Sequence, residues 1–317
     1  MKWKVVHIIT RLILGGAQEN TLLTVEGLMR RPEYDVALIT GPAMGPEGEL
    51  EERARRNGVN LIIVPEMRRE LHPWRDCRTL CRLVALIRQM RPHIVHTHSS
   101  KAGILGRLAA RIASAPVVVH TIHGPSFHPY LSPAENQAYV LVERVAAHWT
   151  TRLISVADAM TEQFLAAGVG RRELFQTIYS GMEVGAFLTP SAPRAEVRRR
   201  LGIQPDDVVI GKVARLFELK GHEYVILAAP RVLAKFPRVR FLFVGDGILR
   251  DELRALARDV GVEDKVVFAG LVDPECIPEM IHAMDVVVHA SLREGLARVL
   301  PQAFLCGKPV ISYDVDG

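Results

Sequence analysis

Arg215 and Lys220 stand five residues apart in Val213-Ala214-Arg215-Leu216-Phe217-Glu218-Leu219-Lys220-Gly221, where an apolar run gives way to a loop and then a helical pattern. Arginine offers a planar, two-pronged donor for phosphate, and lysine a point charge. Ligands of open α/β sheets lie at the carboxyl ends of strands, so both cations can converge on one anion there, or stand as ordinary surface charges. A second group is Ser291-Leu292-Arg293-Glu294-Gly295-Leu296-Ala297-Arg298, which follows another apolar run. Here a carboxylate sits among bare amides. Glu294 can grip sugar hydroxyls while the N–H groups of Gly295, Leu296 and Ala297 face a phosphate, or it can simply favour a helix N-terminus. Gln302 is eight residues beyond Glu294, and the pattern places it two turns into the next helix.

Leu14-Gly15-Gly16-Ala17-Gln18 opens a helix directly after the first apolar run. Gly15 and Gly16 let backbone amides approach an anion at the positive end of the helix dipole, or they make a plain tight turn. The G-x-G-x-x-G dinucleotide fingerprint is absent, and Thr40 stands where an acidic residue would end the second strand. Histidines cluster around two further strands: His96 and His98, then His120 and His123, with His128 beyond. Alternating strand positions do not set metal-ligand geometry, and neither H-E-x-x-H nor a cysteine cluster accompanies them, so no metal is expected. His123, before Gly124 at a strand's carboxyl end, reads as a hydrogen-bond donor. Asp314-Val315-Asp316 and Gly245-Asp246-Gly247 read as loop and turn chemistry.

The elements that must position these groups alternate from end to end. Strands are expected at 4–10, 34–40, 59–64, 94–98, 116–120, 152–156 and 174–180, with helices at 17–29, 47–57, 74–90, 102–113, 133–149 and 157–167. The rhythm breaks at 185–193 (GAFLTPSAP), where Gly, Pro and Ser cluster without periodicity, as in a linker. It resumes with strands at 208–213, 239–244, 265–268, 285–289 and 309–313, and helices at 223–235, 249–260, 274–283 and 298–306. Strands that are apolar throughout, joined by helices, make parallel sheets covered on both faces. The expected fold class is α/β: a doubly wound domain at 1–184, a linker at 185–193 and a second doubly wound domain at 194–317. The chain stops directly after a strand, so the second domain is expected to be incomplete.

At 317 residues the chain suits two domains, and 49% hydrophobic with 24% charged residues is a globular composition. The four cysteines are too few and scattered for a disulfide framework, and no apolar run reaches the roughly 20 residues of a membrane span, so a cytoplasmic setting is expected. The net charge of +5 is uneven: residues 1–180 hold 22 Lys/Arg against 16 Asp/Glu. A basic first half suits an anionic partner. With aromatics at only 6% and no basic-aromatic stacking motif, that partner is not nucleic acid. A membrane surface or a phosphorylated acceptor fits better. Arg75, Arg78, Arg82 and Arg88 in the 74–90 helix are the candidates for peripheral contact with anionic lipid, or are an ordinary solvated face.

Taken together the motifs resemble the family-4 retaining glycosyltransferases of GT-B fold. The matching stretches are LGGAQ (14–18), HTHSSKAG (96–103), HTIHG (120–124), YSGMEVGAF (179–187), ARLFELKGH (214–222), VGDG (244–247), VVFAGLV (266–272) and SLREGLARVLPQAFLCGKPVI (291–311). Each is weak singly, and eight in order cover essentially the whole chain.

The resemblance implies two Rossmann-like domains facing across a cleft, the first binding the acceptor and the second a nucleotide-sugar, with no cofactor. It places Arg215 and Lys220 on the pyrophosphate, Glu294 on donor-sugar hydroxyls, and the amides around Gly295, Leu296 and Ala297 on sugar and phosphate. Phe268, Gly270 and Val272 would lie along the base, mostly through backbone, and Gly16 and His123 would complete the active site. The acceptor implied is a carbohydrate or lipid-linked saccharide of polysaccharide or glycolipid assembly. Two residues depart from the family pattern: Gln302 replaces a second glutamate that contacts ribose, and Ser180 stands where asparagine is common. An amide can still accept a hydroxyl proton. A non-catalytic nucleotide-sugar binder and a nucleotide-sugar epimerase of the same fold are the competing readings.

Overall fold

The computed structural model describes residues 2–44 and 48–315; Glu47, at the expected start of the second helix, and Asp316, of the Asp314-Val315-Asp316 run, lie outside them. The described chain forms two compact units that divide between Gly181 and Met182.

The first unit is built on strands β1 (Trp3–Arg11), β2 (Tyr34–Gly41), β3 (Asn60–Ile63), β4 (Ile94–His98), β5 (Val117–Ile122), β6 (Arg152–Ser155) and β7 (Phe175–Thr177). Helices α1 (Gly16–Met29), α2 (Glu51–Arg56), α3 (Pro73–Met90), α4 (Ser100–Ile112), α5 (Pro133–Ala147) and α6 (Asp158–Ala166) connect them. The sheet order is β3-β2-β1-β4-β5-β6-β7, all parallel. β1 is central and buried on both faces from Val5 to Thr10, which is why it reads as a continuous apolar run. Local chemistry fixes the helix ends. α5 opens with Pro133 and a reciprocal capping box between Ser132 and Glu135. α3 stops at Arg91, left-handed at φ 49°, because Pro92 cannot continue a helix.

The second unit carries α7 (Gly185–Leu188), α8 (Arg194–Arg200), β8 (Val208–Val213), α9 (His222–Leu233), β9 (Val239–Val244) and α10 (Arg250–Asp259). β10 (Val266–Gly270), α11 (Ile277–Ala283), β11 (Val286–His289), α12 (Val299–Leu305) and β12 (Val310–Ser312) follow. Its parallel sheet runs β10-β9-β8-β11-β12. Residues 185–193 are not featureless. α7 is one helical turn whose Phe187 is buried in the second unit's core, and the Phe187 carbonyl accepts His282 Nε2 at 2.9 Å. Asp285 ties α8 to the sheet by accepting from Arg194, from Arg198 Nη2 at 2.6 Å and from the Val209 amide at 2.8 Å.

Both sheets reverse their strand order once, between β1 and β4 and between β8 and β11. Such switch points open a crevice at the carboxyl ends of the two strands, and loops meet there. Arg215 and Lys220, Glu294 to Ala297, Gly15 and Gly16, and His123 all lie on a loop or helix start just beyond the carboxyl end of a strand.

Candidate functional site

In the second unit, the loop after β8 is sewn to the turn after β9. The Leu216 amide donates to Asp246 O at 3.0 Å, and the Leu216 carbonyl accepts the Leu249 amide at 3.1 Å. Leu216 is buried, so the side chains on either side of it are turned the other way. Arg215 there lays its guanidinium over the Phe217 ring, 5.0 Å from the centroid.

The loop then passes through two left-handed residues, Leu219 (φ 64°) and Gly221 (φ 68°), which flank Lys220. A Cβ on Gly221 would sit 1.9 Å from the Ala290 carbonyl oxygen at the end of β11. Only glycine lets the β8 loop approach β11 this closely. Gly221→Ala is therefore expected to cost roughly 1–3 kcal/mol of stability, measurable by denaturant unfolding, and to push Lys220 off its partner.

That partner is Glu294. Lys220 Nζ donates to Glu294 Oε1 at 2.6 Å, and His289 Nε2 donates to the same oxygen at 3.1 Å. The Leu292 amide bonds to the Leu219 carbonyl at 2.9 Å, closing the two loops on one another across the switch point. Burial by itself would raise the Glu294 carboxyl. The His289 hydrogen bond and the Lys220 ammonium outweigh it and hold the pKa down to about 2, so Glu294 is ionised at neutral pH. An anionic acceptor beside a cation, with amides following, suits a ligand rich in both hydroxyls and phosphate.

The sequence reading missed two supporting residues. His289, the last residue of β11, orients Glu294; the signal was a polar residue closing the run Val-Val-Val-His. Lys212, the penultimate residue of β8, is fully buried, and its Nζ finds no hydrogen-bond partner among the described residues. Burial pushes Lys212 down to about 8, with Glu294 opposing the shift. A lysine inside the apolar run Val-Val-Ile-Gly-Lys-Val was visible and went unread.

The remaining second-unit candidates lie on the same edge. Gly295 and Ala297 are buried and Leu296 is half-buried in the loop before α12. α12 begins at Val299, so Gln302 falls in its first turn and not its second. The difference comes from residues 295–298, which stay in the loop. Phe268 and Gly270 end β10, two positions across the sheet from β8. The half-buried Phe268 ring packs edge-on against Phe243 at 5.5 Å and carries the Arg254 guanidinium 5.2 Å from its centroid. Gly270 is left-handed, at φ 73°, and its carbonyl accepts the Gly245 amide at 2.9 Å; Val272 packs on the core.

In the first unit, Gly15 precedes α1 and Gly16 begins it, directly beyond β1. Ser99, beyond β4, takes φ 62°, and its Oγ lies 2.9 Å from Thr10 Oγ1 at the end of β1. His123 follows β5. Behind it the histidines pack against one another. His7 Nδ1 is 2.9 Å from His98 Nε2, and His98 Nδ1 is 3.1 Å from His123 Nε2. His96 Nε2 meets Thr121 Oγ1 at 2.7 Å, and His120 Nδ1 meets Thr97 Oγ1 at 2.9 Å. Burial lowers His7 to about 4 and holds His96, His98 and His120 well below the usual range, so these rings are neutral. His7, His96 and His98 bring one nitrogen each within 4.8 Å of the others. His7 Nδ1 and His98 Nε2 face one another at hydrogen-bond distance, so one of the two carries the proton between them. His128 stands apart, in a turn where its amide donates to Asn136 Oδ1 at 2.8 Å.

The fold and site define a class: tandem doubly wound domains whose second unit joins a cation and a carboxylate at its switch point, with a glycine-containing loop following. Comparison with known proteins agrees. Residues 15–177 match the family described as "Glycosyl transferase 4-like domain", and residues 193–317 match "Glycosyl transferases group 1". The chain is 30% identical over 320 residues to UDP-Gal:alpha-D-GlcNAc-diphosphoundecaprenol alpha-1,3-galactosyltransferase of Escherichia coli, covering 100% of this chain and 80% of that protein. It is 26% identical to 2-deoxystreptamine N-acetyl-D-glucosaminyltransferase of Streptomyces fradiae, covering 96% and 76%. Among solved structures, Anabaena Alr3699/HepE in complex with UDP and glucose superposes with a TM-score of 0.83 at 24% identity, covering 99% of this chain and 82% of that one. A putative UDP-N-acetylglucosamine 2-epimerase from Listeria monocytogenes shares the fold at a TM-score of 0.66 and 15% identity, over 98% of this chain and 79% of that one.

The chain belongs to the family-4 glycosyltransferases, of GT-B fold class. It is an enzyme that moves a sugar from a nucleotide-sugar to an acceptor hydroxyl with retention of configuration. Among the described residues no helix is long and apolar enough to cross a membrane.

Proposed function

We propose that the second unit binds a uridine diphosphate sugar over the Lys220–Glu294 pair, with Arg215 and Lys220 on the diphosphate and Glu294 accepting from the sugar's hydroxyls. The observation that carries this reading is the 2.6 Å contact of Lys220 with Glu294, held from behind by His289, at the β8/β11 switch point. Transfer needs negative charge to be stabilised as it develops on the departing diphosphate. Two cations and the amides of Gly295, Leu296 and Ala297 are preorganised donors of that kind. Backbone around Phe268, Gly270 and Val272 lies along the base, and Gln302 accepts from ribose. In the first unit, Gly15, Gly16 and His123 are the residues that serve the transfer reaction. The UDP complex of the Anabaena protein and the UDP-galactose donor named for the Escherichia coli relative support uridine as the base.

The acceptor in this reading is a sugar on a lipid diphosphate, as the name of the Escherichia coli relative describes for that enzyme. α3 supplies the membrane contact. Trp74 is 79% exposed, and Arg78, Arg82 and Arg88 are exposed along the same helix, while Arg75 leans towards Glu70 at 3.9 Å. A bare tryptophan with arginines suits an anionic headgroup layer. The test is transfer from a panel of radiolabelled UDP-, ADP- and GDP-sugars to polyprenyl-diphosphate saccharides in anionic and in neutral vesicles. Product is expected with one UDP-sugar, and faster on anionic vesicles at low salt. Transfer from purine but not uridine donors overturns the donor assignment, and equal rates on both vesicles overturn the membrane contact.

A further inference from the structure

We infer that His7 and His98 set the tautomer of His123 through a relay of ring-to-ring hydrogen bonds that runs through the first sheet. The three rings come from three neighbouring strands or their ends: His7 from the centre of β1, His98 from the last position of β4, and His123 from just past β5. The two links measure 2.9 and 3.1 Å, and the rings are nearly parallel at each, at 14° and 28°. His7 and His98 are buried, at 0% and 1% exposure, so bulk water does not compete for their nitrogens.

A chain of neutral imidazoles has only two consistent proton arrangements, because each link needs one donor and one acceptor. His7 Nε2 decides between them, since it is buried with no hydrogen-bond partner among the described residues. If the chain ran towards His7, Nε2 would carry an N–H with nothing to accept it. If it runs towards His123, Nε2 is a bare lone pair. Orphaned buried N–H groups are the rarer fault in folded proteins. His7 Nδ1–H therefore donates to His98 Nε2, and His98 Nδ1–H donates to His123 Nε2. His123 is left with its own proton on Nδ1.

The consequence is chemical. At the carboxyl end of β5, His123 is a hydrogen-bond donor through Nδ1, and its Nε2 lone pair is engaged by His98. Such a ring positions an oxygen acceptor and does not serve as a base through Nε2. His7 and His98 are thus positioning residues. Their link to turnover rests on the reading of His123 given above, whereas the relay itself does not.

The experiment is long-range proton–nitrogen NMR on the full chain labelled with ring nitrogen-15 histidine, with signals assigned by single substitutions. The expected result is the neutral Nδ1–H form for His7, His98 and His123. His7→Leu removes the first donor and is expected to move His98 and His123 to the Nε2–H form or a mixture. His7→Gln, whose amide N–H replaces that donor, is expected to keep them. In the same pair, His7→Leu lowers kcat roughly 10-fold at unchanged donor KM, and His7→Gln restores it. Wild-type His98 or His123 in the Nε2–H, averaged or imidazolium form overturns the relay. The tautomer switch without a kcat change upholds the relay and removes His123 from the transfer reaction.

Discussion

Arg215→Ala slows glycosyl transfer at least ~100-fold and leaves the protein folded. A single preorganised donor to developing negative charge is typically worth about 3–4 kcal/mol, or ~10²–10³ in rate. Arginine's fork is suited to a diphosphate in a way that alanine plus solvent is not. The loop has supports for its shape besides this side chain. It is held by the buried Leu216 and by Leu216's two backbone hydrogen bonds to the β9 turn. The measurement is kcat with the nucleotide-sugar at saturation, beside an unfolding curve. Near-normal turnover removes Arg215 from the site. Lys220→Ala is a less clean probe, because it also strips Glu294 of its cation and so disturbs a second contact.

How much of this was legible in the sequence depends on what set each feature. Strands buried on both faces announce themselves as apolar runs, and β4, β8 and β9 begin and end where the pattern puts them. Ends set by tertiary packing were less readable. The run at 174–180 keeps only Phe175–Thr177 as strand: Arg172–Leu174 turns as a 3-10 helix before it, and residues 178–180 continue as loop. Residues 185–193 look like a linker by composition, but one phenylalanine buried in the core makes part of them helical. The site divides the same way. Arg215, Lys220 and Glu294 were visible because each is a charged residue in a loop that follows an apolar strand, Lys220 and Glu294 directly before a glycine. The direct bond between Lys220 and Glu294 was not, because it joins residues 74 apart in sequence through the order of strands in the sheet. Lys212 and His7 stood in plain view but gave no sign of their role. Each is a polar residue within an apolar strand, and only three-dimensional burial shows that such a residue lacks a partner.

Glu143→Ala is the largest loss of stability expected from a single change outside the site. Arg107 on α4 is fully buried, and Glu143 on α5 nearly so, with Arg107 Nη2 donating to Glu143 Oε2 at 2.7 Å. Arg107 Nε donates to the Gly103 carbonyl at 2.9 Å, while its Nη1 finds no partner among the described residues. Removing the carboxylate strands a guanidinium with no counter-charge, which costs about 3–5 kcal/mol in comparable buried pairs. For a unit of this size that lowers Tm by on the order of 10 °C. Replacing both partners with apolar residues of similar size, Arg107→Met with Glu143→Leu, is expected to recover most of the loss, because the desolvation penalty goes with the charges. The pair also reaches the site. Glu143 Oε1 accepts Ser126 Oγ at 3.1 Å, three residues past His123, so the double variant regains stability without regaining that tether. Circular-dichroism melts of the single and double variants, with turnover measured on both, separate the two contributions. A Glu143→Ala protein within about 1 kcal/mol of wild type would show that the pair is solvated or relaxes on mutation.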